Sequence, residues 1–254
     1  MKQVVINDIL VSYDALRHPA PQPETFVLLH GWRSRKEVWR VVAEQLFSHG
    51  DVYALDLPGF GNSEIPGRAL TVRDYADLVA GFIQKCELTA PTVIGHSFGG
   101  RVTIALASLH PEIIGKIVLV DSAGFVNTSA KRRMAKTAAR LIRPLFRPAF
   151  MASLRQKIYE LIGAEDYVAT PWLQQTFTNI ITEDLSEHLR AITAPTLLLW
   201  GKNDRETPLS FATRMRALIP HSRLVVLEGA GHFSFVDQPK AFVEAVHAFI
   251  RETP

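Results

Sequence analysis

Short, almost wholly apolar runs alternate along this chain with stretches of helical periodicity, and this rhythm restricts the fold more than any other feature. "TFVLLHG" (25–31), "DVYALDLPGFG" (51–61), "PTVIGHS" (91–97), "GKIVLVDSAG" (115–124), "APTLLLWG" (194–201) and "SRLVVLEGAG" (222–231) read as strands. Helical stretches around "EVWRVVAEQLF", "TVRDYADLVAGFIQKC" and "GRVTIALASLH", one from about Pro208, and a last one at "KAFVEAVHAFI" separate or follow them. Strands alternating with helices predict a parallel sheet with crossover helices on its faces. Two further runs, "KQVVIN" and "ILVSYD", are split by Asn7-Asp8 and predict an opening antiparallel hairpin. In the helix after Thr71, the residues Val72, Tyr75, Leu78, Val79 and Phe82 share one face, and Thr71 with Asp74 forms an N-terminal capping pair.

The rhythm breaks once. From Phe125 to Thr193 no strand pattern occurs and the segment reads as several helices. An insertion between two strands is expected to lie as a cap over the C-terminal edge of the sheet, where open α/β sheets bind ligands. The expected division is therefore a core of residues 1–124 and 194–254, with a helical cap at 125–193.

Composition excludes several classes of function. With 254 residues, 47% hydrophobic and 21% charged, the chain suits a soluble globule with a large core. The N-terminal stretch lacks the apolar centre of a secretory signal, no run of apolar residues is long enough to span a membrane, and the single Cys86 permits no internal disulfide. Together these lead us to expect a cytoplasmic protein. The isoelectric point near 9.1 does not signal nucleic acid. Seven of the 28 basic residues fall between Lys131 and Arg147, with no acidic residue among them, leaving 21 basic against 25 acidic residues elsewhere. In that segment Met134, Ala138, Leu141, Ile142 and Leu145 fall on one helical face, with Arg133, Lys136, Arg140, Arg143 and Arg147 around the other. A cap helix must bury such an apolar face anyway, so the expectation is solvated charge without stable membrane association.

Chemistry concentrates at Gly95-His96-Ser97-Phe98-Gly99, a G-x-S-x-G sequence placed between strand and helix. Glycines there permit a turn tight enough to strain the serine and lift its hydroxyl above the sheet. A hydroxyl becomes a useful nucleophile only when a base takes its proton. His232, in "LEGAGHFSF", follows the last strand; Asp204, in "GKNDRETP", follows the preceding one. All three residues follow strand ends, so a parallel sheet brings them to one edge in the order Ser97, Asp204, His232. Donors for a developing oxyanion are the backbone N–H of Phe98 and that of Trp32, in the loop after "TFVLLHG".

These segments resemble the α/β-hydrolase fold from end to end: "HGW" (30–32), "DLPGFGNS" (56–63), "GHSFGG" (95–100), "GKNDRETP" (201–208) and "GAGHF" (229–233). The resemblance implies a mostly parallel eight-stranded sheet with flanking helices and a helical cap after the sixth strand. It also implies a Ser-His-Asp mechanism without cofactor or metal. Relatives that open epoxides or carbon–halogen bonds use Asp where this chain has Ser97, which argues against both, and the cap residues Tyr159 and Tyr167 read as packing residues. Hydrolases of meta-cleavage dienoates are similar in size but carry a longer glycine-rich run at "HGWRSR" and Asn at the position of His96. The expected activity is hydrolysis of small or medium carboxylic esters. The alternatives are a C–C bond hydrolase and, from another class, a non-catalytic receptor on the same fold. Trp32, Phe98, Phe125, Trp172 and Phe177 are expected to line the substrate slot. Asp121 is the rival to Asp204 as the third member, Asp56 is expected to tie its turn together, and His30 to brace the oxyanion loop.

Overall fold

Eight strands form one sheet in the order β1-β2-β4-β3-β5-β6-β7-β8. The computed structural model describes residues 1–20, 22, 24–126 and 170–252. The strands are β1 (Lys2–Ile6), β2 (Ile9–Leu16), β3 (Thr25–Leu29), β4 (Asp51–Leu55), β5 (Thr92–His96), β6 (Lys116–Val120), β7 (Thr196–Gly201) and β8 (Ser222–Leu227). β1 pairs antiparallel with β2 through the hairpin at Asn7 and Asp8, and β2 pairs antiparallel with β4. Both of those residues take positive φ, which Asn and Asp tolerate better than other side-chain-bearing residues. Every pairing from β4 through β3, β5, β6 and β7 to β8 is parallel.

The strand residues sort by the two-residue period of a strand. Val27, Leu29, Val93, Ile117, Leu119, Leu198 and Trp200 are buried in one apolar layer. Phe26, Leu28, Ile94, Val118, Val120, Leu197 and Leu199 are buried in the other. Continuous apolar strands are what a sheet covered on both faces requires. The first layer is closed by α2 (Val72–Lys85), α3 (Phe98–Leu109) and α6 (Leu209–Leu218); the second by α1 (Arg40–Leu46), α7 (Ser234–Asp237) and α8 (Pro239–Glu252). The pair at the start of α2 is a full capping box: Asp74 N–H donates to Thr71 Oγ1 at 3.2 Å, and Thr71 N–H to Asp74 Oδ2 at 2.7 Å. The short α7, directly after His232, carries too few residues to show a period in the sequence.

Between β6 and β7 the described residues form a 3-10 turn (Pro171–Leu173), α4 (Gln174–Thr182) and α5 (Ser186–Ala191), with no strand. The basic segment 131–147 and Tyr159 and Tyr167 lie outside the described residues. Among the described residues, no helix is long and apolar enough to cross a membrane.

Candidate active site

The parallel register delivers six loops to one edge of the sheet: those after β3, β4, β5, β6, β7 and β8. Ser97 occupies the single residue between β5 and α3, with φ +52° and ψ −107°. The glycines around it make this turn possible. A Cβ on Gly95 would meet Thr103 Oγ1 at 2.3 Å, and one on Gly99 would meet the Leu29 carbonyl oxygen at 2.3 Å. Both distances are far inside contact, so α3 can approach β3 and β5 this closely only with glycine at these positions.

His232 lies across from the serine. Its Nε2 is 3.1 Å from Ser97 Oγ and its Nδ1 is 2.9 Å from Asp204 Oδ2. The Asp204 side chain is fully buried, and its acceptors are saturated. Oδ1 takes the N–H groups of Glu206 and Thr207 at 2.8 and 3.0 Å, while Oδ2 takes the Thr207 hydroxyl at 2.6 Å. Burial opposes charge on Asp204, but its bonds to His232 and Thr207 outweigh this and hold its pKa below the ordinary value. On His232, burial likewise opposes charge, yet the hydrogen bond and charge of Asp204, aided by Glu206 and Asp121, raise its pKa above 6.5.

Asp121, the rival acid, is engaged elsewhere. It is buried, takes φ +45°, and accepts the Gly201 N–H at 2.7 Å on Oδ1. Its Oδ2 accepts the N–H and hydroxyl of Ser234 at 3.1 and 2.6 Å. Asp121 thereby ties the end of β7, which precedes Asp204, to the start of α7, which follows His232. Burial outweighs these bonds and pushes its pKa up to about 7.

Two histidines brace the loops, and both are buried and held neutral. Burial lowers His30 to about 4 and His96 to about 3. His30 Nε2 accepts the Leu57 N–H at 3.0 Å, which leaves the proton on Nδ1 to bond the Gly31 carbonyl at 2.7 Å. That carbonyl also accepts the Ser34 N–H at 3.2 Å. Across a trans peptide the carbonyl and the next N–H point in opposite directions, so the Trp32 N–H is turned away from these partners. His96 donates from Nε2 to the backbone carbonyl of His232 at 2.7 Å and so fixes the loop of the candidate base. Asp56 anchors the neighbouring loop: it accepts the Lys36 N–H and the Lys36 ammonium, both at 2.7 Å, and the Asn62 N–H at 2.9 Å.

Of the residues expected to line the slot, three meet. The Trp32 ring lies 5.2 Å from Phe98 and 5.0 Å from Phe177, with Phe60 at 4.8 Å completing the cluster. Phe125 packs instead on α6, 5.4 Å from Phe211 and under the Arg214 guanidinium at 3.7 Å. Trp172 is 55% exposed, and its indole N–H makes a long bond of 3.4 Å to the Gly59 carbonyl. Its buried neighbour Leu173 packs against Gly59 instead. Sequence reading did not single out Thr207, Ser234 or Phe60. For Thr207 a signal existed: Asp204 with Thr three residues on is the spacing of a side-chain-braced turn. Among the described residues no group of three His, Cys, Asp or Glu is placed to hold a metal ion.

A parallel sheet with a strained serine at the β5–α3 elbow, facing a histidine and a carboxylate from the last two strand ends, is the architecture of one large class of proteins. The chain belongs to the alpha/beta hydrolase family, whose model matches residues 26–245. It is similar to an uncharacterized hydrolase of Bacillus subtilis, YugF, at 28% identity covering 99% of this chain and 98% of that one. It is 30% identical to a pimeloyl-[acyl-carrier protein] methyl ester esterase of Aeromonas salmonicida, over 90% of this chain and 96% of the esterase. Among solved structures, a bacterial membrane phospholipase A superposes with a TM-score of 0.80 at 27% identity, covering 99% of this chain and 86% of that one.

The Lys36–Asp56 pair yields a test of how the loop after β3 is held. Both side chains are essentially buried, at 1% and 0% exposure. Lys36→Met leaves the carboxylate without its counter-charge and is expected to destabilise the fold by about 3–5 kcal/mol, measured by urea unfolding.

Proposed function

We propose that the protein is a carboxylesterase for small or medium esters, with Ser97 as nucleophile, His232 as general base and acid, and Asp204 as the residue that holds His232. The observation that carries this reading is the His232 ring bridging Ser97 Oγ at 3.1 Å and Asp204 at 2.9 Å. In this mechanism Ser97 Oγ attacks the ester carbonyl while its proton passes to His232 Nε2. Asp204 keeps the other ring proton on Nδ1 and stabilises the imidazolium. The tetrahedral oxyanion is received by the backbone N–H groups of Trp32 and Phe98. The first is aimed by His30 through the Gly31 carbonyl; the second is unpaired because it opens a helix. His232 returns the proton to the departing alcohol, and water then releases the acyl group by the same base.

Residues 125–193 are proposed as the cap over this edge, with Trp32, Phe98 and Phe177 walling the slot. The esterase relative from Aeromonas salmonicida supports ester chemistry. A dienoate of the meta-cleavage type is the comparison substrate for the C–C hydrolase reading, and turnover itself separates an enzyme from a receptor.

The mutant series tests the roles. Ser97→Ala is expected to lower kcat for 4-nitrophenyl acetate by about a millionfold with the fold intact by circular dichroism. Asp204→Asn should cost about ten-thousandfold in kcat, since an amide favours the wrong His232 tautomer. Asp121→Asn should instead act mainly on stability, by about 1–3 kcal/mol, because an amide nitrogen cannot accept the N–H of Gly201 or Ser234. The reverse ranking would move the acid to Asp121.

The pH profile is a second test. Only neutral His232 can accept the proton, and its pKa is raised above 6.5. The specificity constant should be at its plateau above that pKa and fall as pH drops through it. Asp204→Asn removes the main raising influence and should move the residual acidic limb to lower pH.

Trp32 sets a limit on substrate shape. Its indole is wedged among Phe60, Phe98 and Phe177, so it has little room to yield. A quaternary carbon on the alcohol side would hold the carbonyl off both donors, and a displacement of about 1 Å can cost roughly a hundredfold. Ethyl acetate should be hydrolysed at least about a hundredfold better than tert-butyl acetate, by ratio of kcat/KM. Equal turnover would contradict the narrow slot.

A further inference from the structure

The nitrogen of His232 that faces Ser97 has a second neighbour. Glu206 Oε2 lies 3.4 Å from His232 Nε2, while Asp204 occupies the other nitrogen. The position of Glu206 is built rather than accidental: its own N–H donates to Asp204 Oδ1 at 2.8 Å, so the turn that presents Asp204 also hangs Glu206 over the ring. The Glu206 side chain is 70% exposed and has no other ion pair or side-chain hydrogen bond among the described residues. Its one charged partner among the described residues is therefore the His232 ring.

The geometry of acyl transfer says what such a carboxylate would meet. His232 Nε2 delivers its proton to the departing oxygen, which must come within about 3 Å of that nitrogen. The carbonyl oxygen is held on the other side, at the amides of Trp32 and Phe98. The substituent on the departing oxygen consequently leaves past Nε2, along the flank where Glu206 stands.

Resting on the esterase reading above, we propose that Glu206 is a specificity residue for the alcohol side of the ester. It favours a leaving group that carries positive charge and disfavours one that carries negative charge. An exposed carboxylate is screened by solvent, so the preference is modest, up to about fivefold in each direction.

Three aryl acetates of similar shape test this: 3-(trimethylammonio)phenyl, 3-tert-butylphenyl and 3-carboxyphenyl acetate, each assayed with wild type and Glu206→Gln. Comparing the two enzymes on the same ester cancels differences in leaving-group reactivity. Relative to the neutral ester, the variant should lose about threefold to fivefold in kcat/KM on the cationic ester and gain a similar factor on the anionic one. Both changes should shrink in about 1 M salt, where screening acts over about 3 Å. Turnover of the esters with the same relative rates in both enzymes overturns the role of Glu206 and leaves the esterase reading standing. A wild-type enzyme that hydrolyses none of the three overturns the esterase reading, and the role of Glu206 with it.

Discussion

The site depends on how closely the first turn of α3 approaches the ends of β3 and β5. Ser97 sits at φ +52°, a conformation that costs of order 1–3 kcal/mol for a residue with a side chain. It persists because the surrounding backbone leaves no alternative. Gly99 lies against the Leu29 and His30 carbonyls, and Gly95 against Thr103 and the Gly99 carbonyl, all nearer than any Cβ would allow. The same contact sets the loop after β3 beside the serine, where a Cβ on Gly31 would come 3.3 Å from Ser97 Cβ. One packing constraint thus holds together the proposed nucleophile and the two backbone amides proposed to receive the oxyanion.

Around this elbow, buried polar groups hold loops rather than react. Asp121 joins the ends of β6 and β7 to the start of α7, His96 holds the carbonyl of His232, and His30 orients the Gly31 peptide. Each is fully or nearly fully hidden from solvent, and each hydrogen bond it makes goes to backbone or to a neighbouring side chain of the same scaffold. Burial keeps both histidines uncharged, so His232 is the histidine at this edge whose environment favours the proton. For the histidines the division of labour follows from environment: His30 and His96 brace where they are sealed, and His232 faces the serine where it is slightly open.

Much of this was legible in the residues. Apolar runs alternating with helical faces specified the parallel sheet, because both patterns are local and independent of tertiary context. The G-x-S-x-G turn between them located Ser97, and the strand ends located Asp204 and His232. What the residues could not show was direction. Asp121 and Asp204 both follow strands, and only the fold reveals that Asp121 points under the site to Gly201 and Ser234. Phe125 and Trp172 have the composition of slot residues, but one turns onto α6 and the other out to solvent. The tight turn at Asp204 brings Glu206 to the His232 ring, a meeting that the sequence analysis did not anticipate.

The central claim is that Ser97 is the nucleophile of an ester hydrolase and that His232 activates it. Reaction with diethyl 4-nitrophenyl phosphate, followed by peptide mass mapping, tests it most directly, since that reagent leaves a stable phosphoryl group on an activated serine. The account predicts one adduct, on Ser97, formed in step with loss of esterase activity and absent from Ser97→Ala and His232→Ala. An adduct on a different residue, or full loss of activity with Ser97 unmodified, would contradict it.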